Sequence, residues 1–181
     1  MVGIATKGQL RMSFLRWALV LVPLIVLVGS LAGGLSGSGT TSWYMALEKP
    51  PFQPPPYLFG IVWPILYALM AFALVAVIQA RGSRLRGLAI GLFVVQLIVN
   101  LLWSPIFFGM HQVSFAFWWI LLMLVLAVST TLLFGRVRRI AAWLMVPYLV
   151  WISFAALLNF EIDRLNPDAE TLVVGTTSTQ I

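Results

Sequence analysis

Residues 87–135 read GLAIGLFVVQLIVNLLWSPIFFGMHQVSFAFWWILLMLVLAVSTTLLFG, forty-nine residues without one Asp, Glu, Lys or Arg. A helix crossing the hydrocarbon core of a bilayer needs about 20 mostly apolar residues. The run therefore holds two spans, broken at Gly109-Met110-His111-Gln112. Working outward, Trp17–Leu47, Pro50–Ala80 and Ile140–Phe160 are also free of charge. The sequence thus predicts an all-α membrane protein. Its five transmembrane helices fall at about 14–35, 57–80, 87–108, 114–134 and 140–162, with a Pro-rich outer loop between the first and second. Composition agrees: of 181 residues, 61% are hydrophobic and 9% charged, against about 25% charged in a soluble domain. Residues 1–13 read as an N-terminal tail and 14–164 as the membrane domain. The polar, Thr-rich stretch 165–181, beyond Asn166-Pro167, reads as a disordered C-terminal tail.

The charges orient these spans. Lys7, Arg11 and Arg16 precede the first helix, Arg81, Arg84 and Arg86 lie between the second and third, and Arg136, Arg138 and Arg139 between the fourth and fifth. Nine of the eleven basic residues thus fall on alternate segments. By the positive-inside rule the N-terminus is expected in the cytoplasm and the C-terminus outside. This placement accounts for the net charge of +6 without a nucleic-acid partner. A basic start followed by an apolar run and Ala32-Gly33-Gly34 has features of a signal peptide, but the run Trp17–Leu35 exceeds a usual h-region, so it is read as a span. Gly29-x-x-x-Gly33 and Gly87-x-x-x-Gly91 let helices approach closely, within one chain or across a dimer.

Acid–base chemistry inside the membrane is poorly provided for. All five acids, Glu48, Glu161, Asp163, Asp168 and Glu170, belong to the outer side, and His111 reads as a solvated loop residue. With no cysteine and no other histidine, no metal site is expected. The membrane does hold neutral polar groups among aromatics. Gln96, Asn100, Trp103 and Phe107 recur at spacings of 4, 3 and 4, hence on one helix face. An amide cannot face hydrocarbon cheaply, so that face looks inward. Trp63 and Tyr67 lie one turn apart, and Pro147, Trp151 and Ala155 form another stripe beside Tyr148. Trp17 and Trp143 fit an interfacial belt. Such stripes suit either a packed core or a ligand cavity. Five prolines within Pro50–Pro56 rule out helix there and favour a stiff strap over the outer helix ends, either a lid or a spacer.

These segments resemble the TspO/MBR family, the tryptophan-rich sensory proteins and the mitochondrial translocator protein. The matching motifs begin with Trp43-Tyr44-x-x-Leu47-x-Lys49-Pro50 followed by Pro54-Pro55, and then Trp63-x-x-x-Tyr67. Gln96-x-x-x-Asn100-x-x-Trp103 with Phe107-Phe108 comes next. The last is Trp143-x-x-x-Pro147-Tyr148-x-x-Trp151-x-x-Phe154-Ala155-x-x-x-Asn159. They run in order over roughly residues 40–164. The resemblance implies a five-helix bundle, a homodimer, and a pocket under the first loop for protoporphyrin IX-like tetrapyrroles or apolar drugs, with no cofactor required. It places Tyr44, Pro55, Trp63, Tyr67, Gln96, Asn100, Trp103, Ser104, Trp151 and Ala155 in that pocket, and Lys49 near its mouth would pair with a propionate. In members that degrade porphyrin in light, the positions matching the two important tryptophans are Trp63 and Trp151. With no His or Cys for an axial bond, a metal-free porphyrin is expected rather than haem.

Two departures limit the resemblance. Trp119 stands where many relatives carry an acid. Phe160 replaces the tyrosine of the animal cholesterol motif, so sterol transport is not carried over. The expected function is a porphyrin-binding sensor or regulator of tetrapyrrole or oxidative stress in a bacterial inner membrane. A light-dependent porphyrin-degrading enzyme, a transporter and a membrane scaffold are the alternatives; the sensor and the enzyme are not ranked. Transport is disfavoured for want of an internal repeat or a buried coupling charge.

Overall fold

The computed structural model describes residues 6–37 and 41–172. Six α-helices follow in order: α1 (Lys7–Leu35), α2 (Ser42–Ala46), α3 (Pro56–Ile78), α4 (Arg86–Ser104), α5 (Val113–Val137) and α6 (Arg139–Leu165). All but α2 are long and apolar enough to cross a membrane, so the five expected spans are α1, α3, α4, α5 and α6. α1 begins about two turns earlier than expected, at Lys7 rather than near residue 14. Thr6 caps it, accepting from the Gln9 amide while the Gln9 side chain accepts from the Thr6 amide, a reciprocal capping box. α4 continues past Pro105 as one widened turn, Pro105–Gly109.

The helices form a closed ring in space. α1 packs on α3, α3 on α6, α6 on α5 and α5 on α4, which also touches α3 and α1. α3 is the most enclosed, with 44% of its apolar window buried against 17% for α1. The contacts use small side chains, among them Ala71, Ala73, Ala89, Ala127 and Ala141, all fully buried. In lipid, where apolar burial gives no separate drive to associate, close backbone approach supplies the attraction. Outward faces carry exposed Leu19, Ile65, Ile98, Trp118, Leu132 and Trp143, as a lipid-facing surface should. Thr130 and Thr131, buried on α5, donate back to the carbonyls of Leu126 and Ala127. They leave no orphaned hydroxyl.

The basic segments meet at one end. Arg16 of α1, Arg81 of the α3–α4 link and Arg138 of the α5–α6 link line a common groove with Gln9 and Ser13. At the opposite end, residues 166–172 depart from the disordered tail expected there. They turn back into a 3-10 helix at Ala169–Thr171, and Ala169 is buried. The ordering force is side-chain pairing with the first loop, described below; residues 173–181 lie outside the described residues.

The sequence leaves open what Gly29 packs against. In the fold, a Cβ on Gly29 would overlap the Tyr67 ring of α3, so Gly29 serves packing within the chain. Gly87 and Gly91 have open space at the Cβ position. Gly29→Ala is therefore expected to destabilise the bundle by about 1–3 kcal/mol through overpacking. Gly91→Ala should be neutral or slightly stabilising, since Ala is the better helix former. Thermal unfolding of the two variants in the same micelle checks the contrast.

Candidate functional site

The amides anticipated on the third span do face inward, and their partners come from three other helices. Tyr67 on α3 donates its hydroxyl to Asn100 Oδ1 at 2.9 Å. Asn100 Nδ2 lies 3.1 Å from the Tyr148 hydroxyl on α6 and 3.2 Å from Met123 Sδ on α5. Tyr148 in turn donates to Gln96 Oε1 at 3.1 Å. All four polar residues are buried. Inside a membrane such groups have no water to turn to, so each bond fixes the helix that carries it.

Above this chain of bonds lies a cavity of about 360 Å³. Tyr67 and Asn100 form its polar floor. Its walls include Trp63 and Phe59 of α3, Trp103 and Ser104 of α4, and Trp151, Ala155 and Asn159 of α6. Gly29, Gly33 and Gly34 of α1 close one side. Trp63 stacks on Tyr67 with ring centroids 5.4 Å apart, and Trp151 meets Phe59 edge-on at 5.6 Å. Trp103 stacks on Phe107 at 5.1 Å. In the widened turn after Pro105, i→i+5 bonding runs from the Met110 amide to the Pro105 carbonyl. Such turns recur at functional sites, and here both Phe107 and Phe108 reach the cavity.

The first loop covers this cavity with Tyr44 and Gln53, and residues 166–172 pair with that loop. Thr41 caps α2, which carries Trp43 and Tyr44. Trp43 donates Nε1–H to the Ala169 carbonyl at 2.8 Å and stacks on His111 at 4.1 Å. His111 is thus a half-buried partner of Trp43, not the solvated residue expected, because the turn at Gly109–Gln112 folds under α2. Asn166 clasps the backbone of Glu48 from both sides, accepting from its amide at 2.7 Å and donating to its carbonyl at 2.8 Å. Ser114 binds Glu170 and Asp163. Tyr44 lines the cavity; burial raises its hydroxyl pKa, and the Gln53 side chain beside it works the other way.

Of the positions anticipated from sequence, Tyr44, Trp63, Tyr67, Asn100, Trp103, Ser104, Trp151 and Ala155 line the cavity. Three do not. Gln96 sits one turn below Asn100, outside the cavity lining, with its Oε1 accepting from Tyr148. Pro55 is exposed at the start of α3, and Pro56 takes its place in the wall. Lys49 is turned away: Nζ donates to the carbonyls of Leu47 and Met45 at 2.9 and 3.3 Å and lies 4.8 Å over the Tyr44 ring. Partial burial there lowers its pKa. These bonds close the α2 turn and hold the loop that covers the cavity. On α6 the buried stripe runs through Met145, Tyr148, Ile152, Ala155 and Asn159, one position round from the stripe expected. Pro147 faces outward and Trp151 stands at the edge. Gln53, Phe59, Asn159 and the glycines of α1 were missed. Asn159 did stand in a quoted motif, and Gly29-x-x-x-Gly33 signalled close approach.

Four lining residues carry buried polar atoms with no partner among the described residues: Gln53 Oε1, Ser104 Oγ, Trp151 Nε1 and Asn159 Oδ1. No lining residue is charged. Among the described residues no group of three or more His, Cys, Asp or Glu is assembled for a metal. Trp119 donates to the Val99 carbonyl at 2.8 Å and ties α5 to α4.

Residues 19–165 match the model of the TspO/MBR family. The tryptophan-rich protein TspO of Chlorobaculum tepidum is 44% identical over 144 residues, 76% of this chain and 90% of that protein. The tryptophan-rich sensory protein of Cereibacter sphaeroides is 40% identical over 124 residues, 68% of this chain and 77% of that protein. The human translocator protein is 36% identical over 126 residues, 68% of this chain and 75% of that protein.

Lys49→Met keeps the stem over Tyr44 but removes the donor to two carbonyls, and Asn166→Ala opens the clasp on Glu48. Both variants are expected to speed limited proteolysis within residues 42–56 several-fold. Cleavage of the links at the basic end should not change.

Proposed function

The chain belongs to the TspO/MBR family, and on that premise we propose that it is a membrane-embedded receptor for porphyrins and related apolar ligands. It acts as a sensor or regulator of tetrapyrrole or oxidative stress. The observation that carries this reading is the uncharged cavity of about 360 Å³ walled by Trp63, Trp103, Trp151, Tyr44 and Tyr67. Ligand cavities are typically about 300–1,000 Å³, mostly apolar, with a few placed polar groups. Aromatic faces suit a flat tetrapyrrole, each pair contributing about 0.5–1.5 kcal/mol beyond area burial. Trp151 Nε1 and Ser104 Oγ offer donors to a ligand oxygen. No cofactor or metal is needed, and the ligand is read as metal-free protoporphyrin IX or a close relative. A tryptophan-rich sensory protein among the relatives supports the sensing role.

The protein is integral and multi-pass. The finer assignments, a bacterial inner membrane, a cytoplasmic N-terminus and a homodimer, are part of the proposal. Orientation rests on the convergence of Arg16, Arg81 and Arg138 at one end and of all five acids at the other. Reporter fusions at residues 83 and 137 are expected to read cytoplasmic, and one at residue 170 outside.

A second reading is favoured by one feature, the presence of both Trp63 and Trp151 in the wall. One of them gives an electron to light-excited porphyrin, and the reduced porphyrin adds dioxygen as the oxidant. The ring opens with both oxygen atoms retained, and the electron returns to the indole radical. Trp63→Phe and Trp151→Phe separate the readings. Each keeps an aromatic face, so protoporphyrin IX binding should weaken by about 0.5–1.5 kcal/mol. Loss of porphyrin absorbance in light should fall much further if the indole is a donor. Trp143→Phe, on an outward face with 71% exposure, should leave both properties nearly intact. Binding with no photoproduct in the unaltered protein leaves the sensor alone. Failure of protoporphyrin IX to bind at all overturns the proposal.

A further inference from the structure

Asn159 is 1% exposed and belongs to the cavity wall. Its Nδ2 donates to the Val113 carbonyl at the start of α5, at 3.0 Å. That bond fixes the amide, nitrogen toward α5 and oxygen left over. Oδ1 is buried and has no partner among the described residues. A buried carbonyl oxygen without a donor is costly, so the position is poised to accept a hydrogen bond.

The charges around it narrow what can bind. The cavity lining holds no cation, and Lys49 is occupied by backbone carbonyls. One turn further along α6, Asp163 accepts from the Ser114 hydroxyl at 2.7 Å, so the nearest formal charge on that helix is negative. On the lid side Gln53 Oε1 is a second unpartnered acceptor. An ionised carboxylate brought to this wall would meet acceptor oxygens, lose its water and gain no counter-charge. A neutral N–H or O–H would pair at no such cost. Oxygens of the ligand are served elsewhere in the wall, by Trp151 Nε1 and Ser104 Oγ.

We infer that Asn159 determines specificity in this cavity by accepting a hydrogen bond from an uncharged N–H or O–H group of the ligand. The substituent that reaches α6 is therefore an amide, a lactam, a hydroxyl or a protonated acid, and an ionised propionate stays outside. This rests on the cavity being the ligand site, as proposed above.

Three probes test it: the diamide of protoporphyrin IX, its dimethyl ester and the free diacid, each titrated by tryptophan fluorescence in the same micelle. The diamide and the ester are both neutral, and only the amide offers a donor from the side chains. The unaltered protein should bind the diamide about tenfold more tightly than the ester, as expected when a buried acceptor gains its partner. In Asn159→Leu that ratio should fall to near one while both probes still bind. Equal affinities in the unaltered protein overturn the inference, and so does a ratio that Asn159→Leu leaves unchanged. Should Asn159→Leu fail to fold, Gln53→Leu decides: a retained ratio supports Asn159, and a lost one moves the role to Gln53 and overturns the assignment. If none of the three probes binds, the porphyrin reading itself fails, a result distinct from equal binding of amide and ester.

Discussion

The Asn100 side chain is the joint on which the bundle and its cavity depend. One amide reaches three other helices, through Tyr67 on α3, Met123 on α5 and Tyr148 on α6. A neutral polar group in hydrocarbon has few alternatives to such bonds, so the pairing sets how the helices are turned about their axes. It also sets where the ring can be hollow. Below Asn100 the gap is filled by Tyr148, Gln96, Phe93 and Phe134, all fully buried or nearly so. Above it the aromatic side chains stand apart and line the cavity. The same residue closes the core on one side and floors a site on the other.

Gly29 belongs to the same arrangement. The Tyr67 ring occupies the space a side chain on Gly29 would take. The hydroxyl of that ring is the donor to Asn100. Glycine on α1, tyrosine on α3 and asparagine on α4 are therefore one contact, and a larger residue at the first would be felt at the last.

The outer end is closed by a different kind of force. No apolar packing alone would hold a proline-rich strap over an open bundle, because loop backbone needs its polar groups met. Asn166 meets those of Glu48, Ala169 takes the Trp43 indole, and Lys49 meets the carbonyls of Met45 and Leu47. The bonds of Asn166 and Trp43 join segments more than a hundred residues apart. They tie the lid to residues 166–172.

How much of this was legible in the sequence depends on which physical signal carries it. Five spans followed from charge-free length, since an ionised side chain is expensive in lipid. The inward face of Gln96, Asn100 and Trp103 followed because an amide in a membrane must look away from it. Eight lining residues followed from a resemblance carried by motifs. The rest had no local signal. α1, α3 and α5 are apolar nearly all round in the membrane, so periodicity did not separate core from lipid there, and the stripe on α6 was read one position out. Lys49 looked like a ligand group because its charge is visible in sequence while the carbonyls that engage it are not. Gln96 and Asn100 look alike as amides four residues apart; one turn of depth makes the first a core residue and the second the floor of a cavity. The sequence by itself determined the number of spans and the residues that must avoid lipid, because those depend on each side chain's own cost of transfer. Only the tertiary structure decided which polar atoms are paired and which are left over at Ser104, Trp151 and Asn159, because that depends on the partner another helix brings.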